Sequence, residues 1–248
     1  MSFFDRLGDS LEGRGRTILY ALGGVVLAGL VIVVVIRWNA RKNDEARQAL
    51  GRAITVATTT VAATPTTASA TGGATFGSEQ ERAQSAIAEF EKVAAKYGDP
   101  YRTEARYFIA TNRLVLDRPK AMSELAELSN SNEPEVAALS KFALAQAKES
   151  DGQLDEAAQL YVGLARLNSP TVTPDSANLR LAKVYVKQGK KKEAADLLFN
   201  IVDASRKAKG PDQMPLPSSA AAREASTELQ KLDPDRYAQL PPEAPMLG

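Results

Sequence analysis

The sequence predicts an all-α protein, and three observations carry that expectation. One phrase is written twice: "GQLDEAAQLY" begins at Gly152 and "GKKKEAADLL" at Gly189, 37 residues later. From Ser78 onward apolar residues recur at helical spacing, and no stretch resembles a run of alternating strands. Pro119, Pro134, Gly152, Pro170, Pro174 and Gly189 cut this pattern into segments of helical length.

Taken in order, "SEQERAQSAIAEFEKVAAKYG" places Ala83, Ala86, Ile87, Phe90, Val93, Ala94 and Tyr97 on one helical face. Ser78 and Glu81 have capping-box spacing, and Gly98 and Pro100 stop the helix. Further helices are expected over 101–116, 120–129, 134–150, 154–167, 175–188 and 191–207. In each copy of the repeated phrase the glycine closes one helix and Glu-Ala-Ala opens the next. Ala157 and Ala194 are the small residues that let the second helix lie close on the first. Tyr161 and Leu164 in one copy match Leu198 and Ile201 in the other as larger fillers. Such a helix–turn–helix unit cannot bury its apolar face alone, so it stacks on its neighbours.

The chain before Ser78 has a different character. Residues 1–16 form a short tail, and "TILYALGGVVLAGLVIVVVI", residues 17–36, carries no charge. At about 1.5 Å per residue this run spans about 30 Å, the thickness of the bilayer hydrocarbon. Arg16 and Arg37 bracket it and Trp38 takes an interfacial position, so 17–38 reads as a transmembrane signal anchor held in the lipid bilayer through 17–36. A cleaved signal peptide fits poorly, because the run exceeds the usual 7–15 apolar residues or so and "RWNARKND" follows it. Gly24 and Ala28 have the small-xxx-small spacing that pairs membrane helices.

Ala46, Ala49, Leu50, Ala53 and Ile54 recur at helical spacing, making 39–54 a juxtamembrane stalk. "TVATTTVAATPTTASATGGATFG", 55–77, is uncharged, rich in β-branched threonine and interrupted by Pro65 and Gly72-Gly73, the composition of a disordered linker. After the helical domain, 78–208, residues 209–248 comprise a Pro-rich connector, a capping helix with Ala222, Ala225, Leu229 and Leu232 inward, and a disordered tail.

Composition removes several kinds of chemistry. The 248 residues hold neither cysteine nor histidine, so disulfides, thiolate nucleophiles, imidazole bases and the usual Cys/His zinc sites are unavailable. A net charge of +1 gives no overall footprint for nucleic acid. Catalysis by carboxylates alone is the enzymatic alternative, but Asp155-Glu156 stands at a helix start, where acids complement the dipole. "GKKK", Gly189–Lys192, lacks the full phosphate-binding loop and any preceding strand, and reads as a solvated turn.

The helical part resembles tetratricopeptide repeats. In "NLRLAKVYVKQGKKKEAADLLFNIV", Leu181-Ala182, Tyr185, Gly189, Ala194 and Leu198 stand at the family's positions. The copy around Gly152 keeps Leu144-Ala145, Gly152, Ala157 and Tyr161, but Lys148 replaces the tyrosine. A third copy around "YFIATNRLVLDRPKAMSELAEL" keeps Phe108 and Ala121 and lacks the turn glycine. The resemblance covers roughly 79–207. It implies an α-solenoid of about three helical hairpins, ended by the capping helix, whose first helices line a concave face. On that projection Arg106, Arg113, Gln146, Lys183 and Lys187 lie near a peptide groove, either as a basic cradle for an acidic or extended peptide or as a solvated helix face.

The ensemble of a short leading segment, one span, the stalk "RWNARKNDEARQAL" and this degenerate repeat domain resembles the YfgM-type inner-membrane proteins. The long Thr/Ala linker and the Pro-rich extension depart from that pattern. The resemblance implies a non-enzymatic interaction module facing the periplasm. Its expected partners are Sec translocon subunits, periplasmic chaperones or unfolded exported polypeptide. No catalytic residue, cofactor, metal, nucleic acid or small-molecule substrate is expected. The alternative is a cytoplasm-facing scaffold in envelope assembly or division: Arg6, Arg14 and Arg16 precede the span, whereas Arg37, Arg41, Lys42, Arg47 and Arg52 follow it.

Overall fold

The structure, a computed structural model, describes residues 42–62, 75–167 and 169–242. The tail 1–16, the expected span 17–38, most of the linker and the last six residues lie outside the described residues. Among the described residues no helix is long and apolar enough to cross a membrane. The fold is all-α, with no β-strand among the described residues and only two isolated bridges.

The chain divides into two compact units, Met1–Arg52 and Ala53–Gly248. Helix α1, residues 42–58, has Ala46, Leu50 and Ala53 buried at the spacing of one helical stripe. It runs past the expected end at Ile54 into the threonine tract. There Thr58 Oγ1 donates to Ile54 O at 3.0 Å and Thr59 Oγ1 to Thr55 O at 2.8 Å, bonds that let hydroxyls back onto the preceding turn. Val61 and Phe76 then form a parallel bridge, with Ala62 N donating to Phe76 O at 3.0 Å and Phe76 N to Thr60 O at 3.2 Å. The two ends of the tract are thus fastened together.

The second unit continues with α2 (Glu79–Lys96), α3 (Tyr101–Arg113), α4 (Arg118–Leu128), α5 (Pro134–Ser150), α6 (Leu154–Ala165), α7 (Pro174–Lys187), α8 (Lys191–Lys207), α9 (Ala220–Leu232) and the short α10 (Pro234–Tyr237). Side chains cap several of them. Ser78 Oγ accepts from Glu81 N at 3.1 Å while Glu81 Oε2 accepts from Gly77 N at 2.9 Å, a capping box displaced by one residue. Asp117, Thr173, Ser219 and Asp233 do the same for α4, α7, α9 and α10.

Each helix from α2 to α10 packs on its chain neighbour, and α3 also meets α5, as α7 meets α9. The core is correspondingly a chain of overlapping clusters. Ala110, Leu125, Leu128 and Val136 join α3, α4 and α5. Ala145, Ala157, Tyr161, Leu164 and Val184 join α5, α6 and α7. Ala182, Ala194, Leu198, Ile201 and Leu229 join α7, α8 and α9. Leu160 packs against the first two clusters and Tyr185 against the last two, so the apolar layer is continuous. Fully burying a side chain such as Leu164 or Leu198 stabilises by about 1.5–3 kcal/mol. Among the described residues Ser140 is the buried polar exception, 0 % exposed with an Oγ that has no hydrogen-bond partner there.

The duplicated phrase is duplicated geometry. Gly152 and Gly189 both have φ +76°. Gln153 N donates to Lys148 O at 2.9 Å and Gly152 N to Glu149 O at 3.2 Å; Lys190 N donates to Tyr185 O at 2.9 Å and Gly189 N to Val186 O at 3.0 Å. Both are Schellman caps, which require a left-handed residue that glycine adopts without a Cβ penalty. Ala157 and Ala194, five residues on, are each 0 % exposed. The α3–α4 turn is built differently: without glycine, α3 frays through Leu116 N to Arg113 O, 2.9 Å, before Asp117 caps α4.

Beyond α8, Lys209 and Pro215 bridge a tight loop, and Leu216 N donates to Ala208 O at 3.0 Å. Ala222, Ala225 and Leu229 of α9 are buried, with Leu232 partly buried against them. The chain past α9 folds back on α8. Leu240 is buried, Arg236 pairs with Asp196, and Arg206 lies 5.4 Å from the Tyr237 ring centroid and donates to Pro241 O.

Candidate functional site

Helices α3, α5 and α7 carry the five groove residues. Arg106, Ile109 and Arg113 share one stripe of α3 that looks toward α2 and α4. Arg106 Nη2 is 2.8 Å from Glu127 Oε1; Arg113 pairs with Glu124 and stands 3.9 Å from Glu91. Glu91, Arg106, Ile109, Arg113, Glu124 and Leu128 line a cleft of about 220 Å³. Rotation of α3 sets this direction. Phe108 stacks on Phe90 of α2 with ring centroids 4.8 Å apart, and Ala110, Tyr107 and Leu114 join the cluster shared with α4 and α5.

Lys183 and Lys187 on α7 look elsewhere. Lys183 Nζ pairs with Glu224 on α9, and Lys187 Nζ lies 2.6 Å from Glu149 Oε1 on α5. Gln146, half-buried on α5, stands one turn before Glu149 and makes no side-chain hydrogen bond among the described residues. The five residues therefore do not form one cradle. Arg106 and Arg113 belong to the side of α2 and α4, whereas Gln146, Lys183 and Lys187 belong to the side where α7 reaches α5 through Lys187 and α9 through Lys183. All four cations hold carboxylates of neighbouring helices, so none is a free charge.

The α5–α7–α9 side contains residues that the sequence pattern did not single out. Glu149 has a side chain only 10 % exposed; its Oε2 accepts from the Tyr161 hydroxyl at 3.1 Å while its Oε1 faces Lys187. Burial, then the Glu149 charge, pushes the Tyr161 phenol well above its usual range, so it remains a donor. The hydrogen bond from Lys183 draws the Glu224 carboxyl below its ordinary value. Arg180 lies in the same stripe as Lys183 and Lys187, at i, i+3 and i+7. That spacing was the available signal for it. Toward the N-terminal ends of α3 and α5 the sign reverses: burial and the charges of Glu135 and Glu133 push the Glu104 carboxyl up.

The other motifs have structural partners. Asp155 Oδ1 accepts from Gln188 at 2.8 Å and Glu156 pairs with Lys148, each tying α6 to a neighbour. Lys190 in the "GKKK" turn sits 5.4 Å from the Tyr185 ring centroid. Arg118, at the start of α4, holds the C-terminal end of α5 by donating to Ala147 O at 2.8 Å and pairing with Asp151 at 2.7 Å, where a cation complements the helix dipole. Among the described residues no group of three or more acidic side chains could hold a metal ion.

No protein-family model matches the chain, and neither a curated protein nor a solved structure matches it. What the fold and the site define is an all-α chain of serially packed helices.

Proposed function

We propose that the protein is a membrane-tethered, non-enzymatic interaction module with a tetratricopeptide-like solenoid, acting at protein export. The observation that carries this reading is the pair of matching Schellman turns at Gly152 and Gly189, each followed by a fully buried alanine. Serial stacking of such units leaves the first helices lining one face, a surface suited to extended polypeptide. The uncharged run 17–36 supplies the anchor, which raises local concentration at the membrane. The partners are Sec translocon subunits, periplasmic chaperones or unfolded exported chains.

A cytoplasm-facing scaffold is the second reading, favoured by the five Lys and Arg residues between Arg37 and Arg52. An alkaline-phosphatase fusion after Gly248 separates the two. Phosphatase activity supports export; activity only from a cytoplasmic reporter at the same position overturns it.

A further inference from the structure

We propose that Arg180 anchors an acidic segment of the bound polypeptide by taking one Asp or Glu side chain on the α5–α7–α9 face. This rests on the polypeptide-binding reading and gives that face its ligand chemistry. The stripe Arg180, Lys183, Lys187 meets two carboxylates from its neighbours. Lys183 holds Glu224 and Lys187 holds Glu149, whose other oxygen is taken by Tyr161. Arg180 makes no side-chain hydrogen bond or ion pair among the described residues, although its charge reaches both Tyr161 and Glu224.

Of the three cations in the stripe, Lys183 and Lys187 each hold a carboxylate, and the one that pairs with none is the residue best shaped for a carboxylate. The guanidinium is planar and presents paired donors to both carboxylate oxygens; an ammonium cannot. Arg180 is half-buried, so its stem is held by packing while its head stays reachable. The unengaged amide of Gln146, on the α5 wall of the same face, is placed to bond peptide backbone. An acidic segment therefore gains at Arg180 without disrupting an existing pair, whereas a basic segment meets an uncompensated cation.

The test is fluorescence anisotropy with the full chain in mild detergent and labelled short peptides of alternating Glu and Ala, Lys and Ala, or Gln and Ala. The Glu peptide is expected to bind best and to weaken as salt rises. Arg180→Ala should weaken it by about tenfold or more, the order of one charge-assisted bidentate contact. Arg180→Lys should recover only part of the loss, and Lys192→Ala, in the first turn of α8, should leave binding unchanged. Unchanged helical circular dichroism in the variants excludes unfolding as the cause. If Arg180→Ala binds the Glu peptide as the parent does, or the Lys peptide binds better, the Arg180 assignment is overturned and polypeptide binding stands. If none of the three peptides binds, both fall.

Discussion

Lys187 on α7 and Glu149 on α5 form an ion pair of 2.6 Å that is exposed at one end and sheltered at the other: the lysine side chain is 53 % exposed and the glutamate 10 %. The asymmetry decides what each partner contributes. Glu149→Ala leaves the Tyr161 hydroxyl without its acceptor in a buried position, costing about 1–3 kcal/mol. Lys187→Met removes a half-solvated charge and should cost less than about 1 kcal/mol. Tyr161→Phe should fall between them, since water can replace the lost donor only in part. Thermal melts of the three variants check this order. A Lys187→Met effect equal to that of Glu149→Ala would show that the ion pair, not the buried hydroxyl, dominates.

The two turn glycines give a second test. A Cβ at Gly152 or Gly189 would meet nothing within 4 Å, so crowding does not enter and only the φ of +76° resists a side chain. Gly152→Ala and Gly189→Ala should each destabilise by about 1–2 kcal/mol, and by similar amounts. Gly163, inside α6 and equally uncrowded, should respond with the opposite sign: alanine there raises helix propensity by up to about 1 kcal/mol. Melting temperatures that move the same way at Gly163 and Gly152 would contradict the account of the turn.

Helices α5 and α8 are bounded where the sequence places them, because Pro134 and Gly152 bound α5 and Gly189 precedes α8. Other features depended on what a one-dimensional pattern does not hold. Threonine's weak helix propensity hid the extension of α1, which its hydroxyl bonds to Ile54 and Thr55 support. Four-residue α10 is too short for periodicity to register, although Asp233-Pro234 carried a usable N-cap and N1 signal. The division of the groove residues was least legible. Arg106 and Arg113 turn toward α2 and α4 because Phe108 must stack on Phe90, and that rotation is fixed by partners outside the helix.

Ala194 tests the close contact between α7 and α8. It is 0 % exposed, while Glu193 beside it is exposed. Ala194→Leu forces extra volume into a filled interface and should cost about 1–3 kcal/mol. Glu193→Leu should stay within about 0.5 kcal/mol. Equal melting temperatures for the two would mean that the second copy of the phrase is packed in another register.

We propose that the α5–α7–α9 face receives polypeptide at the membrane during export. Photo-crosslinking in intact membranes tests it most directly, with the photoreactive residue at Gln146 on that face and, as control, at exposed Asn200 on α8. Adducts from Gln146 with translocon subunits, periplasmic chaperones or exported chains, absent from Asn200, are the expected result. No adduct from Gln146, the same adducts from both positions, or adducts with cytoplasmic proteins alone would contradict it.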